Sequence, residues 1–285
     1  MDTQVFLAGS TGKIGRAWTR LAAVHEGVLR LEPLGGLAEC DLGRESDVEA
    51  LAHRLDTHKG SLLVMAAAWT DVDACEHDPE KAEQVNVRAV AMLARAQAAG
   101  GGALLFYSTD FVFDGKGPRA ESDPPAPLSV YGRTKELAEE AIRASGVEHL
   151  IVRINVPLAP PADGESFYSF VTGNLKAGKK IRIVTDQWSN PLDTDRIAKW
   201  SLEAWQRDVR GTLHLGGGTY ATRYDIARFM ADHIGADASL LQPIKTAELK
   251  QVADRPKRGG LLIARQSELF GTAPDLPTIL KSLPK

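Results

Sequence analysis

Tyr131 and Lys135 stand four residues apart in the segment YGRTK at 131–135. Residues at that spacing share one face of a helix, so we expect the Lys135 ammonium beneath the Tyr131 ring, where it lowers the pKa of the phenol. Thr109 follows an apolar run at 104–108, and its hydroxyl is placed to hydrogen-bond an oxygen that Tyr131 protonates. Together the three side chains predict carbonyl reduction. An isolated YxxxK pair is more often an ordinary amphipathic helix, so the surrounding elements decide.

A glycine-rich turn lies between a predicted strand at 5–8 and a predicted helix at 14–22. Its glycines, Gly9, Gly12 and Gly15, allow a tight turn, close approach of the backbone to a pyrophosphate, and close packing of helix on strand. The helix N-terminus adds N–H groups and partial positive charge for phosphates. A lone glycine triplet is often only a turn, but a strand before it and a helix after it favour a dinucleotide site.

Glu32 ends a second predicted strand, at 26–32. An acidic side chain at this place in a dinucleotide fold binds the adenosine ribose and repels a 2′-phosphate. Arg16 and Arg30 are close enough in sequence to pair with such a phosphate instead. We therefore predict a nicotinamide cofactor, NAD or NADP, with a preference that leans towards NAD.

The order of predicted elements indicates an α/β fold. Apolar strands alternate with helical stretches to about residue 153, which is typical of a Rossmann-type, doubly wound parallel sheet, here with a smaller C-terminal substrate-binding lobe. We predict that residues 1–153 form the NAD(P)-binding domain, that 193–216 return to it, and that 154–192 and 217–285 form the lobe. Helices are predicted at 79–99, 130–145, 167–176, 195–205 and 224–234.

Nearly the whole chain resembles the extended short-chain dehydrogenase/reductases, and within them the dTDP-4-dehydrorhamnose reductase branch. Besides the glycine turn, the resemblance is carried by CDL at 40–42, AAAWTDVD at 66–73, VN at 85–86, STDFVFDG at 108–115, YGRTK at 131–135 and DQWSNP at 186–191. It implies a Rossmann domain, a substrate lobe and a nicotinamide cofactor that passes hydride to a ketone carbon while Tyr131 supplies the proton.

The resemblance also implies roles for individual positions. It makes Thr109, Tyr131 and Lys135 the catalytic residues, and Lys135 would bind the nicotinamide ribose as well. The implied cofactor-binding residues are Gly9, Thr11, Gly12, Lys13, Ile14, Gly15, Glu32, Asp41, Leu42, Ala66, Ala67, Ala68, Ser108, Tyr131 and Lys135. The implied substrate-binding residues are Val72, Asp73, Thr109, Phe111, Asn155, Trp188 and Arg255. No metal ligand is implied.

The sequence departs from the family pattern where the sugar would bind. INVPLA at 154–159 stands where rhamnose-forming reductases usually carry a tryptophan, and DQWSNPL at 186–192 lacks the glycine and threonine of DQxGxPT. The resemblance implies NAD(P)H-dependent reduction of a keto group on a nucleotide-linked sugar, with a dTDP-4-dehydro-6-deoxyhexose favoured. A reductase or epimerase acting on another nucleotide sugar remains open. So does a non-catalytic NAD(P)-binding regulatory subunit similar to the methionine adenosyltransferase beta subunit.

Composition agrees with these predictions. A chain of 285 residues with 44% hydrophobic residues can bury the core of a Rossmann domain and a lobe, and a net charge of -3 gives no reason to expect nucleic acid or an anionic membrane as partner. No signal peptide or bilayer-spanning run is recognised, so we expect a cytoplasmic protein, and a homodimer is an assembly that the sequence leaves open. Cys40 and Cys75 are predicted to be structural thiols, and the acidic segment 71–78 a solvated loop rather than a metal site.

Overall fold

A computed structural model describes residues 4–24, 30–32 and 40–285, with the side chains of 30–32 outside the description. The strands are β1 (Gln4–Ala8), β2 (Arg30–Glu32), β3 (Leu62–Met65), β4 (Ala103–Thr109), β5 (Glu148–Ile154), β6 (Pro157–Leu158), β7 (Ile181–Val184), β8 (Trp188–Ser189), β9 (Leu192–Asp193), β10 (Gly211–Leu215), β11 (Ala221–Thr222) and β12 (Leu241–Ile244). The α-helices are α1 (Lys13–Val24), α2 (Glu45–Thr57), α3 (Val72–His77), α4 (Pro79–Glu83), α5 (Ala89–Ala99), α6 (Val130–Ser145), α7 (Phe167–Lys176), α8 (Thr194–Gln206), α9 (Arg223–Ile234), α10 (Ala264–Phe270) and α11 (Leu276–Lys281). None of the helices in these ranges is long and apolar enough to cross a bilayer.

A six-stranded parallel sheet forms the centre, in the order β10-β5-β4-β3-β1-β2. The strand order reverses between β1 and β3, and ligands of such sheets bind at the carboxyl ends of the strands beside that point. Every residue of β3 and β4 is buried, as expected for parallel strands covered on both faces. The predicted α/β class and doubly wound sheet are confirmed.

Strand β4 shows how the two faces are covered. Leu105 and Tyr107 belong to a hydrophobic cluster that includes α1 and α8, while Leu104 and Phe106 belong to a second cluster with α2, α5 and α6. Trp18 of α1 donates a hydrogen bond from Nε1 to the Tyr107 hydroxyl, 2.7 Å away, so this buried pair is both packed and hydrogen-bonded. This hydrogen bond joins α1 to β4 near the carboxyl end of the strand.

The C-terminal elements share the core on the α1 side of the sheet. Helices α7 and α9 pack together, α11 packs on α9, and their buried residues belong to the same cluster as α1 and α8. Two short strand pairs, β7 with β12 and β8 with β11, lie in this part of the chain. Strand β10 joins the edge of the large sheet beside β5, and α8 packs against α1. We keep the division into a Rossmann domain and a lobe as a proposal, which the pairing of β10 supports.

The helix predicted at 79–99 contains a π turn. Helix α4 ends at Glu83, residues Gln84–Arg88 form the π turn, and α5 continues to Ala99. The wider turn brings Asn86 inward, where its side chain bonds both backbone groups of Trp69, at 2.8 and 3.0 Å, and the Thr134 hydroxyl at 3.2 Å. Asn86 thus joins the segment after β3 to α6. Of the strand predicted at 26–32, residues 26–29 lie outside the described ranges.

Candidate active site

The glycine turn between β1 and α1 leaves no room for side chains at two positions. Gly9 has a φ of 86°, and a Cβ there would lie 2.6 Å from the backbone nitrogen of Ala67. A Cβ on Gly15 would lie 2.0 Å from the carbonyl oxygen of Gly9. The turn therefore folds tightly against the end of β3 and the first turn of α1, which gives a phosphate access to the backbone N–H groups of the helix start.

We expect Gly15→Ala to push α1 away from the turn. Because backbone atoms must move to admit the methyl group, the dissociation constants for NADH and NADPH should rise at least about tenfold and the free energy of unfolding should fall by about 1–3 kcal/mol. Fluorescence titration and urea unfolding measure the two effects. Gly173→Ala in α7 is the matched control, since a Cβ there has no atom within 4 Å, and it should raise stability by up to ~1 kcal/mol. Unchanged cofactor affinity in Gly15→Ala would contradict the proposed role of the turn.

The sheet and α6 bring the three predicted catalytic residues to one cavity. Thr109 ends β4, and Tyr131 and Lys135 lie on the buried face of α6, where they are 8% and 2% exposed. Ser129 fixes the start of the helix, because its hydroxyl accepts the N–H of Gly132 at 3.2 Å. All three residues line a cavity of about 390 Å³ at the carboxyl ends of the strands.

Contacts from two sides hold the Tyr131 ring. Its hydroxyl lies beside the side chain of Thr109. The Phe111 ring meets it edge to face with centroids 5.7 Å apart, and the Phe111 N–H donates to Thr109 Oγ1 at 3.2 Å. Gly132 allows this arrangement, since a Cβ there would lie 2.2 Å from the carbonyl oxygen of Phe111. The phenol is thus oriented before any ligand arrives.

The predicted direction of the Tyr131 pKa was wrong. Burial raises the pKa of Tyr131 above its usual value, and the neighbouring Thr109 side chain only partly opposes it. Burial also lowers the pKa of Lys135 to about 7, opposed by Glu139, while its Nζ lies 3.9 Å from the centroid of the Phe106 ring. Loss of water around both groups outweighs the attraction expected between them, so Tyr131 is a protonated phenol at neutral pH.

A buried ionic network lies behind the catalytic residues. Glu139 is fully buried and accepts hydrogen bonds from Ser108 at 2.6 Å, from Arg153 at 2.8 and 2.7 Å, and from Arg143 at 2.8 Å. Burial acts to raise the pKa of Glu139, but Arg153 and the other donors outweigh it and lower the pKa. The Ser108 hydroxyl, predicted to bind the cofactor, is therefore engaged with Glu139, although Ser108 also lines the cavity.

The residues of this network are not among the predicted site residues, although the sequence carries a signal for them. Glu139 lies four residues beyond Lys135 and eight beyond Tyr131, on the same buried helical face, and Arg153 interrupts an apolar strand. Opposite charges at two buried positions indicate an ion pair, because isolated charges are rarely fully buried.

The structure places the predicted cofactor-binding residues in two groups. Those that line the cavity are Gly12, Lys13, Ile14, Ala66, Ala67, Ala68, Ser108, Tyr131 and Lys135. Those outside its lining are Gly9, Thr11, Gly15, Asp41 and Leu42, while the side chain of Glu32 lies outside the described part of the chain. The tight glycine turn, the start of α1 and the two lysines fit the phosphates and ribose of a dinucleotide. Lys13 Nζ meanwhile donates to the carbonyl oxygen of Glu165 at 2.9 Å.

Most predicted substrate-binding residues also line the cavity: Val72, Thr109, Phe111, Asn155, Trp188 and Arg255. Asp73 is not among the lining residues. Its carboxylate accepts from Arg255 at 2.8 Å and from the N–H groups of Val252 and Ala253, and the hydrogen bond from Arg255 holds the pKa of Asp73 below its usual value. Asp73 thus orients Arg255 at the rim of the cavity.

The remaining wall is both aromatic and polar. Trp188 is 36% exposed and stacks on Tyr220 with ring centroids 5.3 Å apart. Asn155 is buried and pairs through its side-chain amide with Asn190. These two residues lie in the segments where the sequence departs from the pattern described above, so those segments contribute to the surface of this cavity.

The charges around the cavity are mainly positive. Among the described residues that line it, Lys13, Lys135, Arg223 and Arg255 are basic, and Asp110 is the acidic one. In a chain whose net charge is -3, this concentration suits anionic ligands. Arg223 and Asp110 are not among the predicted site residues. No motif marks Arg223, which reaches the cavity through the tertiary position of α9.

Known proteins resemble this chain over most of its length. The family described as RmlD substrate binding domain matches residues 3–279. A dTDP-4-dehydrorhamnose reductase of Burkholderia thailandensis is 36% identical over 94% of this chain and 93% of that protein. A probable low-salt glycan biosynthesis reductase of Haloferax volcanii is 34% identical over 84% and 81%. A crystal structure of a dTDP-4-dehydrorhamnose reductase from Clostridium acetobutylicum has a TM-score of 0.87 at 25% identity and covers 98% of both chains.

Proposed function

The chain belongs to the RmlD substrate binding domain family of extended short-chain dehydrogenase/reductases, and we therefore propose that it reduces a keto group on a nucleotide-linked sugar with NADH or NADPH. The favoured substrate is a dTDP-4-dehydro-6-deoxyhexose, which is reduced at the 4-keto group. The observation that carries the proposal is the meeting of Thr109, Tyr131 and Lys135 in one cavity beside the glycine turn.

The residues of the site can supply the proton that reduction of a carbonyl group requires. A nicotinamide cofactor, when bound, supplies the hydride. Tyr131 and Thr109 both line the cavity, so a carbonyl oxygen placed between their hydroxyls would accept a hydrogen bond from each. Because burial keeps the phenol protonated, Tyr131 acts as a general acid and transfers its proton as charge develops on that oxygen. Lys135, on the same face of α6, stabilises the phenolate that remains.

The residues that would bind the cofactor suit NAD and NADP alike. The first turn of α1 would hold the phosphates through Gly12, Lys13 and Ile14, and Lys135 would hold a ribose. A preference for NAD rests on Glu32 alone. A Bacillus anthracis dTDP-4-dehydrorhamnose reductase structure with the same fold is described in complex with NADP, at 22% identity. A homodimer and a cytoplasmic location remain predictions.

A different nucleotide sugar is the second candidate substrate. Trp188 and Asn155 shape the cavity in segments that differ from the pattern of the rhamnose-forming enzymes. A reductase or epimerase for another sugar would fit such a wall. The regulatory-subunit alternative is disfavoured by the assembled catalytic residues.

Loss of nicotinamide absorbance tests the proposal. NADH and NADPH are offered separately with a panel of 4-keto-6-deoxy sugars linked to different nucleotides. We expect turnover with a dTDP-linked sugar. Turnover with another nucleotide would favour the second candidate, whereas tight cofactor binding without turnover of any sugar would sink the reductase proposal and favour a regulatory role.

A further inference from the structure

Arg223 is a cation without a hydrogen-bonding partner for its guanidinium among the described residues. It begins α9, is half-buried and lines the catalytic cavity. Its backbone N–H donates to the carbonyl oxygen of Gln187 at 2.8 Å, and its guanidinium carbon lies 4.8 Å from the centroid of the Phe167 ring. The ring supports the guanidinium plane but satisfies none of its five N–H donors.

Neighbouring charges do not fully balance the positive charge of Arg223. Burial lowers the pKa of Arg223 to about 10, Asp110 opposes this, and Arg255 adds to it. Asp110 Oδ2 accepts the N–H of Gly260 at 2.9 Å, and Asp110 acts on Arg223 through its charge rather than through a hydrogen bond. Arg255 differs, because its guanidinium lies 2.8 Å from the carboxylate of Asp73. An anion entering the cavity would therefore gain more from Arg223 than from its neighbour.

We propose that Arg223 binds phosphate oxygens of the substrate's diphosphate and so anchors the nucleotide end of the substrate; this assignment rests on the proposed function. A guanidinium matches phosphate oxygens with paired, charge-assisted hydrogen bonds. The N-terminus of α9 adds partial positive charge on the same side, and the helix is fixed there because Thr222 accepts the N–H of Asp225 at 3.0 Å.

A diphosphate fits better than a carboxylate on the sugar. Arg223 and Arg255 both line the cavity and lie close enough for their charges to interact, so the cavity offers two cationic groups to the ligand. A diphosphate carries a charge on each phosphate and can meet both groups, whereas a carboxylate carries a single charge. The calorimetry described below distinguishes a phosphate from a sugar carboxylate as the group that Arg223 binds.

Calorimetry with the full-length protein tests the assignment, using thymidine, dTDP and dTDP-glucuronic acid as ligands. Arg223→Gln should weaken dTDP binding about 10- to 100-fold while thymidine binding changes less than about twofold. Arg223→Lys should recover part of the loss, because it keeps the charge but not the planar fork. Arg228→Gln is the matched control: Arg228 lies on the same helix, is exposed, and does not line the catalytic cavity.

Unchanged dTDP binding in Arg223→Gln would overturn the assignment. So would an equal loss for thymidine and dTDP, or a loss confined to dTDP-glucuronic acid. NADPH affinity and thermal melting of the variant show whether the site is intact, and an equal loss of NADPH affinity also overturns it. Failure of the proposed function looks different, because wild-type protein would then bind NADPH but neither bind dTDP nor reduce any nucleotide sugar.

Discussion

Tyr131→Phe is expected to lower kcat about 10²- to 10⁴-fold, the usual contribution of a general acid, while the dissociation constants for NADH and NADPH stay within about twofold of wild type. The substitution removes only the hydroxyl. The ring keeps its contact with Phe111, and the Phe111 N–H keeps its bond to Thr109. Steady-state rates of nicotinamide oxidation and cofactor titrations measure the two quantities.

Tyr168→Phe is the control for removing a phenol from the protein interior. The Tyr168 hydroxyl donates to the carbonyl oxygen of Pro284 at 2.5 Å, and Tyr168 does not line the catalytic cavity. Its loss should cost about 1 kcal/mol of stability and leave kcat unchanged. If Tyr131→Phe kept kcat within tenfold of wild type, Tyr131 would not be the proton donor.

Glu139→Gln is expected to lower the free energy of unfolding by about 3–5 kcal/mol, because it leaves a buried arginine without its anion. Arg153 is 2% exposed and forms two hydrogen bonds with Glu139. Urea unfolding measures the loss. Glu148→Gln is the matched control, since the side chain of Glu148 is 58% exposed and that of its partner Arg210 is 29% exposed. Breaking this surface pair should cost about 1 kcal/mol or less.

The effect of Glu139 should also depend on pH. The pKa of Glu139 is lower in the folded protein than its ordinary value of 4.5. Its contribution to stability is therefore complete above the ordinary value and is lost as pH falls through the folded-state pKa. We expect the stability difference between wild type and Glu139→Gln to be constant near neutrality and to shrink in acid. A gap that stays constant at strongly acidic pH would show that lost hydrogen bonds, rather than lost charge, are responsible.

Local patterns in the sequence predict the main sheet and the helix that carries Tyr131. The strands are short apolar runs and α6 has a clear helical period, so both follow from neighbouring residues. The π turn at Gln84–Arg88 does not, because one widened turn leaves the surrounding helical pattern intact. What selects it is the burial of Asn86 against Trp69 and Thr134, which are distant in sequence.

Some features of the candidate site also follow from the sequence, whereas others depend on tertiary packing. The spacing of Tyr131 and Lys135, with Thr109 at the end of a strand, predicts that the three meet, since helix and strand geometry bring them together. The direction of the Tyr131 pKa depends on burial, which the spacing does not reveal. Arg223 enters the cavity because α9 packs on α7, a contact between distant segments. Secondary structure thus predicts the chemistry, and tertiary packing determines the electrostatics.

The edge position of β10 bears on how the chain folds as it is synthesised. Strand β5 ends at Ile154, but its partner begins only at Gly211, so one edge of the sheet stays open while the intervening residues emerge. An open edge is a template for pairing with other chains, and closing so long a connection carries an entropic cost. The residues of the catalytic cavity contributed by β4 and α6 are therefore made before the sheet is closed. Chains truncated before Gly211 should expose β5 and aggregate, although they contain Thr109, Tyr131 and Lys135.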